Sequence, residues 1–123
     1  MLTIDVERTI DVVVVKCTGR LVRGAALSIL RNAVLSEANT RIIVLDLSEV
    51  EIIDAGGLAA LLTLQKWTDE RHIQLKLVNP SPFVLETMQR LRLDRVFEIS
   101  TLHDALMVLA NPAYGIVHYA MAS

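Results

Sequence analysis

The sequence predicts an α/β fold, a mixed sheet of about five strands with about four helices in the order ββαβαβαβα. Three observations carry this. The chain opens on two strand patterns with only a short polar stretch between them. From Gly24 onward, apolar residues at helical spacing alternate with short apolar runs. The run Ile42-Ile43-Val44-Leu45-Asp46-Leu47 is apolar on both faces, which suits a central strand covered on two sides or beside a parallel neighbour.

Each element follows from local pattern. Leu2, Ile4 and Val6 alternate with Thr3, Asp5 and Glu7, the mark of a half-buried strand. After the polar Glu7-Arg8-Thr9 comes Ile10 to Thr18, whose centre Val12-Val13-Val14-Val15 is β-branched, so the two strands form an antiparallel hairpin. Gly19 is expected to end that strand. Gly24 to Ala38 reads as a helix through Leu27, Leu30 and Val34, with Ala26 and Ala33 alongside. Ser48 to Asp54 is expected as a short connection. Asp54-Ala55-Gly56-Gly57 opens a second helix to about Glu70, with Leu58, Leu61, Leu62 and Leu64 as its apolar surface.

Ile73 to Val78 is the next strand, stopped by Asn79-Pro80-Ser81-Pro82. Ser81 is placed as an N-cap and Pro82 as the first residue of a third helix, striped by Val84, Leu85, Met88 and Leu91. Val96 to Ile99 makes a short last strand. Ser100 or Thr101 then caps a final helix whose Leu102, Ala105, Leu106 and Leu109 face the sheet, with Asn111-Pro112 ending it. Residues 1–110 are thereby expected to form one domain and 111–123 a C-terminal extension, either packed or frayed.

Composition narrows the function. The 123 residues fit one domain, and 53% hydrophobic with 21% charged residues is enough for one packed core. A formal charge of -2 and only 4% aromatics argue against direct nucleic-acid binding through phosphates or stacked bases. The lone Cys17 allows no internal disulfide. Asp5 and Glu7 interrupt the N-terminal segment, unlike a signal peptide, and no apolar run approaches the roughly 18 residues of a membrane span. A cytoplasmic protein without membrane insertion is expected.

No constellation for catalysis or metal binding emerges. His72, His103 and His118 lie far apart and Cys17 stands alone, so no zinc spacing is present and no metal or cofactor is expected. His72 and His118 read as solvated, His103 as a helix-surface residue and Cys17 as a small core residue. There is no G-x-S-x-G elbow, Walker A sequence or G-x-G-x-x-G. Gly56-Gly57 at a helix start could present free amides to an anion, or simply turn the chain. Asp46 and Asp54 near the third strand raise aspartyl phosphorylation, but the acidic pair and the lysine that chemistry requires are missing. Asp46 then reads as a local backbone cap and Asp54 as the cap of the second helix.

The stretch Ile43-Val44-Leu45-Asp46-Leu47-Ser48-Glu49-Val50-Glu51-Ile52-Ile53-Asp54, followed after two residues by Gly57-Leu58, resembles the signature of STAS domains, and more narrowly of bacterial anti-sigma factor antagonists. Gly19-Arg20-Leu21 sits where that family has G-x-L. Leu75 to Pro82 resembles its fourth strand and turn, and Leu93 to Ile99 its final strand. The resemblance spans about Leu2 to Leu109. It implies the STAS fold and a binding module rather than an enzyme. The implied partner is an anti-sigma factor of the serine-kinase type, with a GHKL ATPase fold, so that binding would release a sigma factor and regulate transcription. In the family that kinase phosphorylates a Ser or Thr directly after the signature Asp.

The sequence departs from the family at that position. Ala55 follows Asp54 and has no hydroxyl, and Gly56 has none either, so phosphotransfer at the usual place is not expected. Val22 stands where the family often has Asp after G-x-L, and Arg92 where a Gly often ends the third helix. Ser48, Thr63 and Ser81 are the available hydroxyls; as a turn residue, a helix residue and a cap they also have structural roles. The expected partner surface is Asp54, Ala55, Gly56, Gly57 and Leu58 with Val22, Arg23 and Gly24. Rival readings are a STAS subunit docking on the ATPase of a lipid-transport ABC complex, and a scaffold component of a signalling assembly. The apolar tail with Ile116, Val117 and Tyr119 is expected either to pack on the domain or to bury against a second copy as a homodimer.

Overall fold

The computed structural model of the chain describes residues 1–100. Its elements are β1 (Leu2–Arg8), β2 (Val12–Leu21), α1 (Ala25–Leu35), β3 (Ile42–Ile53), α2 (Ala55–Glu70), β4 (Gln74–Val78), α3 (Pro82–Arg90), a 3-10 turn at Leu93–Arg95, and β5 (Glu98–Ser100). The strands lie in the order β1-β2-β3-β4-β5. β1 and β2 form the expected antiparallel hairpin, with Val6 opposite Val15; β2 through β5 run parallel.

Consecutive parallel neighbours need a crossover each, and right-handed crossovers between neighbours in sequence order all fall on one face. The packing agrees. Leu30 and Val34 of α1, Leu58, Leu61 and Leu64 of α2, and Val84 and Met88 of α3 join Val13, Val15, Cys17, Ile43, Leu45, Leu47, Leu75 and Leu77 in one core. On the opposite face of the strands, Val12, Ile42, Val44 and Val78 are also buried. Burial on both faces thus explains why Ile42 to Leu45 is apolar at every position.

The structure lengthens two strands. The segment Ser48–Asp54, expected as a connection, instead continues β3 to Ile53. Its pairing with β2 shifts register between Lys16 and Thr18 and again between Gly19 and Arg20, each time with one additional residue on β3. Two bulges break the period of two, so Val50 and Ile53 face the core although they are three positions apart. Gly19 does not end β2, which runs to Leu21. It bends there at φ 116, where a Cβ would overlap the carbonyl of Met1.

Smaller corrections follow from packing. α1 stops at Leu35 rather than Ala38. Leu62 and Leu91, expected on buried stripes, are 37% and 54% exposed. Ser81 occupies the N-cap position of α3 with Pro82 after it, but its side chain does not cap. Its Oγ donates instead to the carbonyl of Val50, 2.7 Å away, pinning the turn to the bulged strand. Arg92 adopts a left-handed φ of 59 after α3, the conformation a glycine takes without strain. The final strand is Glu98–Ser100, so Ser100 is a strand residue; the last helix, His103, His118 and the extension lie outside the described residues.

Candidate functional site

The carboxylate of Asp54 organises the junction where β3 enters α2. The residue is extended, at φ -109 and ψ -176, and its Oδ1 accepts the Gly57 N–H at 2.8 Å, the side-chain cap expected from sequence. Its Oδ2 accepts the N–H of Arg23, 31 positions earlier in the chain, at 3.0 Å. These amides, Arg23 first and Gly57 second, hold the carboxyl below its ordinary value of 3.8 against partial desolvation, and the nearby Arg23 guanidinium adds to the effect. The carbonyl of Asp54 accepts the Leu58 N–H at 3.0 Å, closing the first helical turn.

Gly57 sets the height of α2 over the sheet. A Cβ there would overlap the carbonyl oxygen of Leu21 and stand 2.8 Å from Ile53 Cγ1. The same Leu21 carbonyl accepts the backbone N–H of Asp54 at 3.4 Å. Only a residue without a side chain allows this approach. Gly56 is looser: a Cβ would meet Arg23 Cβ at 3.2 Å. Gly24 takes φ 123 as it starts α1, with nothing within 4 Å of where a Cβ would be.

The eight residues singled out in the sequence therefore divide. Asp54, Gly56 and Arg23 come together, with Ala55 exposed beside them. Arg23 and Gly24 are exposed, whereas Gly57 and Leu58 are buried and seat the helix. Val22 is half-buried and lines a neighbouring depression with Met1, Leu2, Ala26 and Ile29. Next to Gly56, a groove of about 340 Å³ runs between α1 and α2, lined by Leu27, Ser28 and Arg31 and by Gly56, Ala59, Ala60, Thr63 and Leu64. The sequence gives no direct sign of this groove, because its walls come from two helices; the only local signal is the small-residue spacing of Gly56, Ala59 and Ala60.

Other candidate groups have structural surroundings. Cys17 is wholly buried, and desolvation, with a smaller contribution from Asp46, pushes its thiol up to about 12. Asp46 accepts the Ser48 N–H at 3.0 Å, as a local cap. His72 is exposed at φ 58. Among the described residues, no three His, Cys, Asp or Glu side chains are placed to hold a metal ion, and no helix is long and apolar enough to cross a membrane. The described chemistry of the junction is that of a surface with fixed backbone, small side chains and basic neighbours.

Comparison with known proteins places this geometry. The STAS domain family pattern matches residues 3–106. A candidate anti-sigma factor antagonist from Thermotoga maritima superposes with a TM-score of 0.77 at 24% identity, over 88% of this chain and 95% of that one. An anti-sigma factor antagonist from Mycobacterium paratuberculosis gives 0.72 at 26% identity, over 90% and 96%. The murine anion transporter Slc26a9 gives 0.67 at 22% identity over 95% of this chain but 19% of its own. No curated protein sequence matches. The family pattern covers most of the 123 residues: the chain belongs to the STAS domain family.

Proposed function

We propose that this chain is an anti-sigma-factor-antagonist-type binding module, not an enzyme. In this reading it works in the cytoplasm, captures an anti-sigma factor of the serine-kinase, GHKL type, and so regulates sigma-factor-dependent transcription. The surface is the start of α2 with the adjoining β2–α1 turn: Asp54, Ala55 and Gly56 beside Arg23 and Gly24, with Val22 at the edge and Gly57 and Leu58 holding the helix from beneath. The observation that carries the proposal is the exposed Ala55 beside the doubly bonded Asp54, at the place where the resemblance implies a phosphorylatable hydroxyl. Without that hydroxyl, the kinase partner has nothing to phosphorylate there, and the module stays competent to bind. Likeness to two antagonists over nearly the whole of their chains supports this choice.

The test uses a purified anti-sigma serine kinase with the wild-type chain and Ala55→Arg. Binding is expected for the wild type, with affinity at least about tenfold weaker for Ala55→Arg. Equal binding of both proteins, or binding of neither, overturns the proposal. With ATP added, the wild type is expected to keep its intact mass, while Ala55→Ser gains one phosphoryl group. A wild-type phosphoryl group mapped to residues 54–58 overturns the unmodifiable reading.

A transporter-associated role is the second reading, favoured by the likeness to a portion of Slc26a9. Docking on a transporter ATPase, with no affinity for the kinase, is its distinguishing result.

A further inference from the structure

We infer that the groove between α1 and α2 receives an amphipathic helix from the partner, with acidic residues flanking its apolar stripe. This deepens the docking reading above and rests on it.

The groove has the shape for a helix. Gly56, Ala59 and Ala60 recur at helical spacing along one wall, and their small side chains leave room above the floor formed by Leu27 and Leu64. A groove of this kind reads the apolar positions of a bound helix at a spacing of three and four.

Charge decides what flanks those positions. α1 contains no Asp or Glu, and α2 contains none from Ala55 through Lys66. The charged side chains at this region are Arg31, in the groove lining, and Arg23 and Asp54, both against Gly56, on a chain whose formal charge is -2. Arg31 lines the groove and makes no ion pair or hydrogen bond among the described residues. Arg23 stands against Gly56 at the groove's end. The neighbouring acid, Asp54, has both carboxylate oxygens engaged by backbone amides. Acidic residues gather elsewhere, at Asp5, Glu7 and Asp46 and at Glu49 and Glu51. Asp54 offsets part of the Arg23 charge at one end, so Arg31 carries the preference: a partner with Glu or Asp beside its apolar stripe is attracted there, and one with Lys or Arg is repelled.

The probes are two helical peptides of about 15 residues with the same leucine stripe, one flanked by Glu and the other by Lys. Fluorescence anisotropy follows each peptide against the full chain. The Glu peptide is expected to bind at least about tenfold more tightly than the Lys peptide, and to weaken as salt rises. Arg31→Glu is expected to reverse that preference, and Ala59→Phe to remove binding of the Glu peptide; far-UV circular dichroism checks that both variants remain folded. Equal affinity for the two peptides, binding of neither, or no effect of Arg31→Glu or Ala59→Phe overturns the inference. If Arg31→Glu leaves kinase affinity unchanged while Ala55→Arg abolishes it, the groove inference fails and the docking reading stands.

Discussion

The backbone N–H of Arg23 donates to the Asp54 carboxylate across 3.0 Å, tying the exit of β2 to the entry of α2. One side chain thereby fixes two loops that are 31 residues apart in sequence. It completes a helix cap and a tertiary contact at once, so its removal affects both.

Asp54→Ala is expected to lower the melting temperature by about 5 °C, the scale of a lost N-cap in a domain this size. Asp54→Asn separates charge from capping. Because the folded carboxyl titrates below its ordinary 3.8, its stabilisation is present above that value and disappears as pH falls through the lower folded value. The stability gap between wild type and Asp54→Asn, measured by urea unfolding, is expected to be largest near neutral pH and to close in stronger acid.

Gly57 and Gly56 are adjacent but predicted to respond differently. Gly57→Ala drives a methyl group into the Leu21 carbonyl and Ile53, and is expected to cost about 2–3 kcal/mol. Gly56→Ala meets the side chains of Arg23, at 3.2 Å from Cβ, and Asp54, at 3.3 Å from Oδ1, and the gain in helix propensity offsets the crowding to within about 0.5 kcal/mol. Chemical denaturation of the two variants checks the contrast; similar losses would refute the close helix-to-strand approach.

Arg92→Gly is expected to raise stability by about 0.5–1 kcal/mol. A left-handed backbone strains a residue bearing a Cβ by about 1–2 kcal/mol, from which the greater unfolded freedom of glycine subtracts. Thermal unfolding of the variant gives the sign directly, and a fall in melting temperature would show that the Arg92 side chain contributes more than its backbone strain.

Cys17 is expected to resist thiol reagents until the domain opens. Its thiol is buried and titrates near 12 rather than 9.0, so the folded chain holds little thiolate at neutral pH. The same shift makes stability decline as pH rises above 9.0, where an unfolded chain releases the proton and the folded one does not. Labelling rates across a urea titration should follow unfolding; rapid labelling of the native protein would contradict the burial.

The hairpin, the central parallel strand and the Asp54 cap were legible because each is written in a short stretch of sequence. Leu2, Ile4 and Val6 carry a period of two, and Asp54 precedes a helix start with its acceptor in place. The rest depended on distant partners. Two bulges hide β3 beyond Leu47, because Val50 and Ile53 fall out of alternation. Ser81 fits a cap locally, but its bond to Val50 depends on a strand 31 residues away. Leu62 and Leu91 fit an apolar stripe locally, yet the neighbouring elements leave them exposed. The groove by Arg31 needs two helices at once, so no single segment announces it.

The contact of Gly57 with the Leu21 carbonyl carries a consequence for timing. The start of α2 rests on backbone rather than on side chains that could rotate, so its conformational freedom is already surrendered when the domain folds. In the proposed docking, an incoming protein then has little loop ordering to wait for. Encounter should be limited by diffusion and charge steering, and differences in lifetime between cognate and non-cognate complexes should arise mainly in dissociation.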